Sequence, residues 1–271
     1  MIWRNTNILD PFLDKKEITT DKDKASIILL GAYPIDINEF PNVQFVFRVG
    51  VGTDNINFTN VPVGFPEQST KDIIYEETSN FACYLIFKML YDNKSNLDTW
   101  SSVPRNLLNT KTLLVVGTGN IGRRVYNKMY HIFDNVISYD SQIDVAAPSY
   151  DQADIISLHI PYTEENKNFF NKDIFKQLKD DAIIINTARG GIVDEDDLYE
   201  ALTTTNMRAA FDAFWTEPYK GKLMELHPDK FYATPHMAST CFEFIESCYY
   251  DFVAFREKNS SSSSIGVPHQ V

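Results

Sequence analysis

An α/β protein built on a doubly wound parallel sheet is the fold class this sequence predicts, and three observations predict it. Short apolar runs of strand length, SIILLG (26–31), VQFVFRV (43–49), LLVV (113–116), DIISLH (154–159) and AIIINT (182–187), lack the alternation of a half-exposed sheet. Such runs suit strands buried on both faces. From Lys111 onward they alternate with helical segments, the order that yields βαβ units. The run at 113–116 ends in Gly117-Thr118-Gly119-Asn120-Ile121-Gly122, a glycine turn of the kind that joins a strand to the helix after it.

The elements follow in chain order. After the strands at 26–31 and 43–49, a Gly, Asn and Asp-rich loop runs from Gly50 to Asn60. Glu76 to Leu90 has apolar residues at helical spacing with acids in its first turn, where the helix dipole favours them, so a long buried helix is expected. The polar stretch Tyr91 to Asn109, with Ser101, Ser102 and Pro104, reads as a domain boundary. A strand at 112–116, a helix at 120–131 and a strand at 135–139 ending at Asp140 make one βαβ unit. Strands at 154–159, 182–187 and 208–213 follow, with helices at 171–179 and 194–203. Only 13 residues separate Asp140 from Asp154, near the minimum of about 10–12 for a parallel crossover, so any helix there is rudimentary. The aromatic stretch Cys241 to Phe255 reads as a helix, and the serines after Asn259 begin a segment expected to be disordered.

Composition narrows the function classes. A chain of 271 residues with 44% hydrophobic and 23% charged residues has the make-up of a globular protein of two domains. No run approaches the roughly 18 apolar residues of a membrane span, and the first residues lack an apolar export signal. Three cysteines without paired spacing argue against a disulfide framework and a zinc site, so no metal is expected and a reducing cytoplasm is. A net charge of -12 disfavours nucleic acid, which is gripped by clustered Lys and Arg. It leaves room for a small anion held by one or two local cations.

The glycine turn has the right neighbours for a dinucleotide. Gly117 allows the tight turn, Gly119 lets the backbone approach a pyrophosphate, and Gly122 packs helix on strand, with Asn120 and Ile121 completing the helix entry. Asp140, 18 residues after Gly122, stands where an acid accepts the ribose hydroxyls and repels a 2′-phosphate, which favours NAD over NADP. Arg123-Arg124 follows the last glycine in place of the Lys-Ser/Thr of a mononucleotide loop. Tyr84 and Lys88 form a Tyr-x-x-x-Lys pair, but it precedes the glycine turn, opposite to its place in short-chain dehydrogenases.

Downstream stand Arg189 in NTARGG (186–191), Glu217 in EP (217–218) and His236 in TPH (234–236). They supply an anion-binding fork and a carboxylate able to hold an imidazole ready for proton transfer. With RVGVGTDNI (48–56), VVGTGNIG (115–122), YD (139–140), ADIISLHIPYT (153–163), INTARGGIVDEDDLYEAL (185–202) and FDAFWTEP (211–218), the chain resembles the D-isomer-specific 2-hydroxyacid dehydrogenases. The resemblance spans about residues 44–240 and is nearest the phosphoglycerate dehydrogenase branch.

The resemblance implies a Rossmann-type NAD domain, residues 96–237, inserted in a flavodoxin-like substrate domain, residues 1–95 and 238–258, with 259–271 as the disordered tail. It implies an active site in the cleft between the domains. Arg189 would bind the carboxylate and carbonyl of a 2-oxo acid, His236 would exchange the proton, and Glu217 would orient the imidazole. Backbone groups of Val51 and Gly52 would hold the substrate carboxylate and Asp212 the nicotinamide amide. His159, Pro161 and Thr163 would run beside the adenine ribose, with Thr187 and Ala188 also near the cofactor. Asp212 as a cap or ion-pair partner and His159 as a satisfied structural histidine are the alternatives. Arg48 would meet a substrate phosphate or close a strand against an acid, and Arg105 is a second such cation. A homodimer is implied, with Phe81, Leu85, Phe87 and Met89 divided between core and interface.

Asn120 replaces the family's usual Arg, and PEQSTKDII (66–74) departs from its substrate loop, so the hydroxy acid stays open among phosphoglycerate, glycerate and lactate types. An NAD-sensing binding protein on the same scaffold is the alternative from another class.

Overall fold

The computed structural model describes residues 1–91 and 98–262. Two compact units emerge, one from residues 1–74 together with the chain from Thr240 onward, the other from Tyr75–Ser239.

In the smaller unit β1 (Ile2–Arg4), β2 (Ile27–Leu30), β3 (Phe45–Arg48) and β4 (Val63–Gly64) form a parallel sheet in the order β1-β2-β3-β4. The sheet has the parallel pairing of a flavodoxin-like domain but no reversal of strand order. Ile27, Leu29, Phe45 and Phe47 face one core with Ile74, Phe244 and Phe252, while Ile28, Leu30 and Val46 face a second with Ile37, Phe40 and Phe58. Both faces are covered, which is why these strands read as unbroken apolar runs. β1 and β4 span three and two residues and are too short to show a period.

Helix α1 (Gln68–Leu90) begins eight residues before its expected start at Glu76. Its first turns are polar, so a hydrophobic period does not register there, yet the Lys71 N–H already bonds the Glu67 carbonyl. The departure at 66–74 is therefore partly helix. Leu85 and Met89 are fully buried beside Leu113, Val115, Ile155 and Ile183, and Phe81 and Phe87 pack against that cluster. All four serve the core. This packing sets the division of units within α1, at 74/75 rather than 95/96; the return lies at 239/240 rather than 237/238.

The larger unit carries β5 (Thr112–Val116), β6 (Asn135–Tyr139), β7 (Ile155–Leu158), β8 (Ile183–Asn186), β9 (Arg208–Phe211) and β10 (Phe231–Ala233). All pairs are parallel in the order β10-β9-β8-β7-β5-β6. The chain leaves β5 for β6 on one side and returns to β7 on the other, so the winding reverses at β5. Helices α2 (Gly122–Met129), α3 (Lys172–Phe175) and α4 (Glu195–Thr204) fall at three expected places, and the short crossover holds only a 3-10 turn at Tyr150–Gln152. In the smaller unit α5 (Phe242–Ser262) outlasts its expected end. The tail expected to be disordered from 259 is helical through 262, with Asn259 Nδ2 donating to the Phe255 carbonyl one turn back; residues 263–271 lie outside the described residues.

Candidate active site

Each nominated residue of the larger unit lies just beyond a strand of one parallel sheet, at its carboxyl end. Gly117 to Gly122 follow β5, Asp140 follows β6, His159, Pro161 and Thr163 follow β7, and Thr187 to Arg189 follow β8. Asp212 and Glu217 follow β9, and His236 follows β10. Because β8, β9 and β10 are neighbours, Arg189, Glu217 and His236 come from three adjacent strand ends.

The glycine turn is built by close approach. Gly117 has φ +92°, open to glycine at little cost, and a Cβ there would lie 2.7 Å from the His159 carbonyl oxygen. A Cβ on Gly122 would be driven into the Gly117 carbonyl oxygen. Around Gly119, its two chain neighbours apart, no atom of the described residues lies within 4 Å of where a Cβ would stand. Gly122→Ala is therefore expected to destabilise the fold by about 1–3 kcal/mol, read from the urea midpoint. Gly119→Ala should leave that midpoint unchanged and weaken NADH binding about tenfold or more, because only a ligand needs its space. Equal stability losses in both variants would contradict this division.

Asp140 Oδ2 accepts the Thr118 N–H at 3.0 Å and the Thr118 hydroxyl at 2.8 Å. These bonds, with the Gln142 N–H, hold its carboxyl below the usual range, so an anion stands ready at the ribose position. Helix α2 has no side-chain cap at its first turn, leaving that end to a ligand. Thr187 Oγ1 is buried and among the described residues has no hydrogen-bond partner. An open glycine, an uncapped helix end and an orphaned hydroxyl fit a dinucleotide.

The segment after β7 is closed by Asn166, whose Nδ2 donates to the Pro161 carbonyl and whose N–H meets Thr163 Oγ1. His159 has the contact of the structural alternative, with Nε2 2.8 Å from Ser157 Oγ. Burial pushes its pKa down to about 3. The neutral ring thus contributes stability that is complete above the ordinary value of about 6.5 and is lost as pH falls toward 3. Ring resonances of His159 are expected not to titrate between about pH 8 and pH 5. A midpoint inside that window would show the ring to be solvated.

Arg189, Glu217 and His236 rest on buried polar side chains that the sequence did not single out. Asn186, fully buried, donates from Nδ2 to the Arg189 carbonyl at 2.8 Å and accepts the Ala188 N–H at 2.9 Å, clamping the loop that carries Arg189. Arg189 Nη1 donates to the Ala188 carbonyl at 2.8 Å. Gly190 lets this loop press on the backbone of Phe214 and Trp215, and Trp215 Nε1 donates to the Val193 carbonyl at 2.8 Å. Both oxygens of Glu217 lie 2.8 Å from His236 Nδ1, and Oε1 also accepts the Phe214 N–H at 3.0 Å. An ionised carboxylate only accepts, so Nδ1 carries the proton and Nε2 is left for chemistry.

His236 has φ +50°, a left-handed turn that costs roughly 1–2 kcal/mol for a side chain of this kind. Asp212 offsets it. Its carboxylate, 1% exposed, accepts the Thr234 hydroxyl at 2.7 Å and the N–H groups of Met237 and Ala238 at 2.9 Å each. This is the capping arrangement named as the alternative to a nicotinamide contact. Asp212 just after β9 thus caps the loop just after β10, two of whose N–H groups it accepts.

In the smaller unit Arg48 is likewise reassigned. Its guanidinium is buried and donates to the carbonyls of Gly52 (2.9 Å), Val49 (2.7 Å) and Leu30 (3.2 Å), so it shapes the 49–52 loop and is not turned out toward a phosphate. Among the described residues the N–H groups of Val51 and Gly52 have no acceptor.

Residues 88–238 match the family model described as D-isomer specific 2-hydroxyacid dehydrogenase, NAD binding domain. A hydroxypyruvate reductase of Thermotoga maritima is 30% identical over 224 residues, covering 74% of this chain and 72% of that protein. The chain belongs to this family. As a D-2-hydroxyacid dehydrogenase it is an NAD-dependent oxidoreductase. A D-3-phosphoglycerate dehydrogenase of Archaeoglobus fulgidus is 35% identical over 261 residues, 84% of this chain, and the chain spans 48% of that relative's length. The fold matches a D-lactate dehydrogenase of Aquifex aeolicus, solved with NAD and lactic acid, at a TM-score of 0.75 and 21% identity, covering 96% and 95% of the two chains.

Proposed function

We propose that this D-2-hydroxyacid dehydrogenase interconverts a short 2-oxo acid and its D-2-hydroxy acid through Arg189, Glu217 and His236. The observation that carries the reading is the two-oxygen contact of Glu217 on His236 Nδ1, which presents Nε2 as the proton-exchanging atom. NAD(H), when bound, supplies or accepts the hydride; Gly119, the α2 end, Asp140 and Thr187 would hold it. Arg189 orients the acid through its planar fork, and Asp212 keeps the His236 turn in place.

The substrate is of the hydroxypyruvate or phosphohydroxypyruvate type, in keeping with the string at 48–55 and the reductase and dehydrogenase relatives. Because Arg48 is engaged by three carbonyls, the unphosphorylated acid is the better expected substrate. The test is NADH oxidation by the purified protein across a panel of 2-oxo acids, phosphohydroxypyruvate included, with NADPH in parallel. Turnover of any 2-oxo acid supports the mechanism, and a preference for the phosphorylated one would reverse the role given to Arg48. Absence of turnover with intact NADH binding would favour an NAD-sensing binding protein.

A homodimer in a reducing cytoplasm completes the reading. Tyr84, Trp100, Val103 and Leu107 are exposed on the larger unit, Trp100 by 87% and Leu107 by 70%, and are apolar side chains that a second copy could cover. All three cysteines are free thiols, and among the described residues no helix is long and apolar enough to cross a membrane. Sedimentation at micromolar concentration should give twice the chain mass; a strict monomer would refute the dimer.

A further inference from the structure

The larger unit also has a cavity of about 280 Å³ at the amino ends of its strands, opposite the glycine turn. Lys111 precedes β5 and Arg208 opens β9, so along a strand the cavity stands on the order of 20 Å from the catalytic end. Its wall is part apolar, from Leu90, Leu108 and Ile183, and part cationic, from Arg105, Lys111 and Arg208.

The charges do not cancel. Asp154 also lines the cavity, but it is matched by Lys111 and Lys179, each at 3.1 Å, and accepts the Thr112 N–H. Asp181 is a rim carboxylate whose side chain is 67% exposed, 4.0 Å from Lys111. Arg208 Nη1 is anchored on the Met89 carbonyl at 2.8 Å, and among the described residues its Nε and Nη2 have no other partner. The Arg105 guanidinium lies 4.1 Å from the Tyr91 ring centre and donates to the Asn106 carbonyl at 3.3 Å. Two arginines therefore face a small cavity in a chain whose net charge is -12.

We propose that this cavity binds a small aliphatic carboxylate, with the anion on Arg208 and Arg105 and the hydrocarbon tail against Leu90, Leu108 and Ile183. Arginine's planar donors match a carboxylate, and an arginine anchored at one nitrogen loses little freedom on binding. The volume is at the small end of ligand sites, with room for a tail of about four to six carbons. The position makes it a second site for acids of the substrate's general class, one whose occupancy does not exclude substrate.

The test is a butyrate titration of the full chain, observed through the methyl resonances of Ile183, Leu90 and Leu108, in the wild type and in Arg189→Ala. Saturable shifts with a midpoint in the range of about 1–10 mM are expected, unchanged by Arg189→Ala. Arg105→Gln and Arg208→Gln should each raise the midpoint about fivefold or more. Arg208→Lys, which keeps the charge and loses the fork, should do the same if the glutamine variant fails to fold. Shifts that never saturate, or that saturate equally in every arginine variant, would overturn the proposal.

Discussion

Replacing Arg189 by alanine is expected to lower kcat/KM for the best 2-oxo acid by about 10²–10⁴-fold while NADH affinity stays within about twofold. The range corresponds to the roughly 3–5 kcal/mol typical of removing one member of a buried charge-assisted contact. The loop carrying Arg189 is clamped by Asn186 through the Ala188 N–H and the Arg189 carbonyl, so shortening the side chain leaves the loop in place. The loss then falls on orientation of the acid. Arg189→Lys should recover little, because a single ammonium cannot reproduce the planar fork. Steady-state kinetics combined with NADH fluorescence titration separate the two effects. Turnover within threefold of wild type in Arg189→Ala would remove Arg189 from the mechanism.

His236→Gln is the second large effect, an expected fall in kcat of about 10²–10⁴-fold, the usual contribution of a positioned acid–base group. Glutamine keeps a donor toward Glu217 but has no atom that exchanges a proton in the working pH range. The pH dependence of kcat should flatten as well as fall. A merely structural role would lower the melting midpoint and leave the shape of that profile intact. Glu217→Gln tests the same geometry from the other side: the imidazole loses its anionic acceptor and can turn, so the loss should be real but smaller than for His236→Gln. If the two losses multiplied in the double variant, the residues would be acting independently and the orienting role of Glu217 would fail.

Much of the site is legible in the chain because its chemistry depends on residue type and order. A Gly at 117 and at 122 is demanded by local backbone, a positive φ and a contact with no room for a Cβ. Asp140 closes a strand a fixed distance beyond the turn, and Arg189, Glu217 and His236 follow later strands in a recognisable sequence. The less legible part concerns what each buried polar group faces. Arg48 and Asp212 have the residue types of ligand-binding groups, and in the fold both are spent on backbone, three carbonyls for one and two N–H groups with a hydroxyl for the other. Asn186 opens the NTARGG string without a role legible from its residue type, yet it holds the loop that carries Arg189. The polar start of α1 and the serine end of α5 escape a hydrophobic period for the same reason: hydrogen bonding along a helix continues where no apolar stripe marks it.

By itself, the sequence determined the parallel α/β class, the dinucleotide turn, the preference for an unphosphorylated ribose and the nomination of Arg189, Glu217 and His236, because these follow from local sterics, charge and strand-by-strand order. Only the tertiary structure decided which strands are neighbours, that Arg48 and Asp212 are braces, and that two arginines face a cavity at the far end of the sheet. Those outcomes depend on groups on different elements meeting in space, from Asp212 with the N–H groups of Met237 and Ala238 to the Arg208 guanidinium with the Met89 carbonyl 119 residues away, and such meetings are set by the packing of whole elements and not by any local pattern.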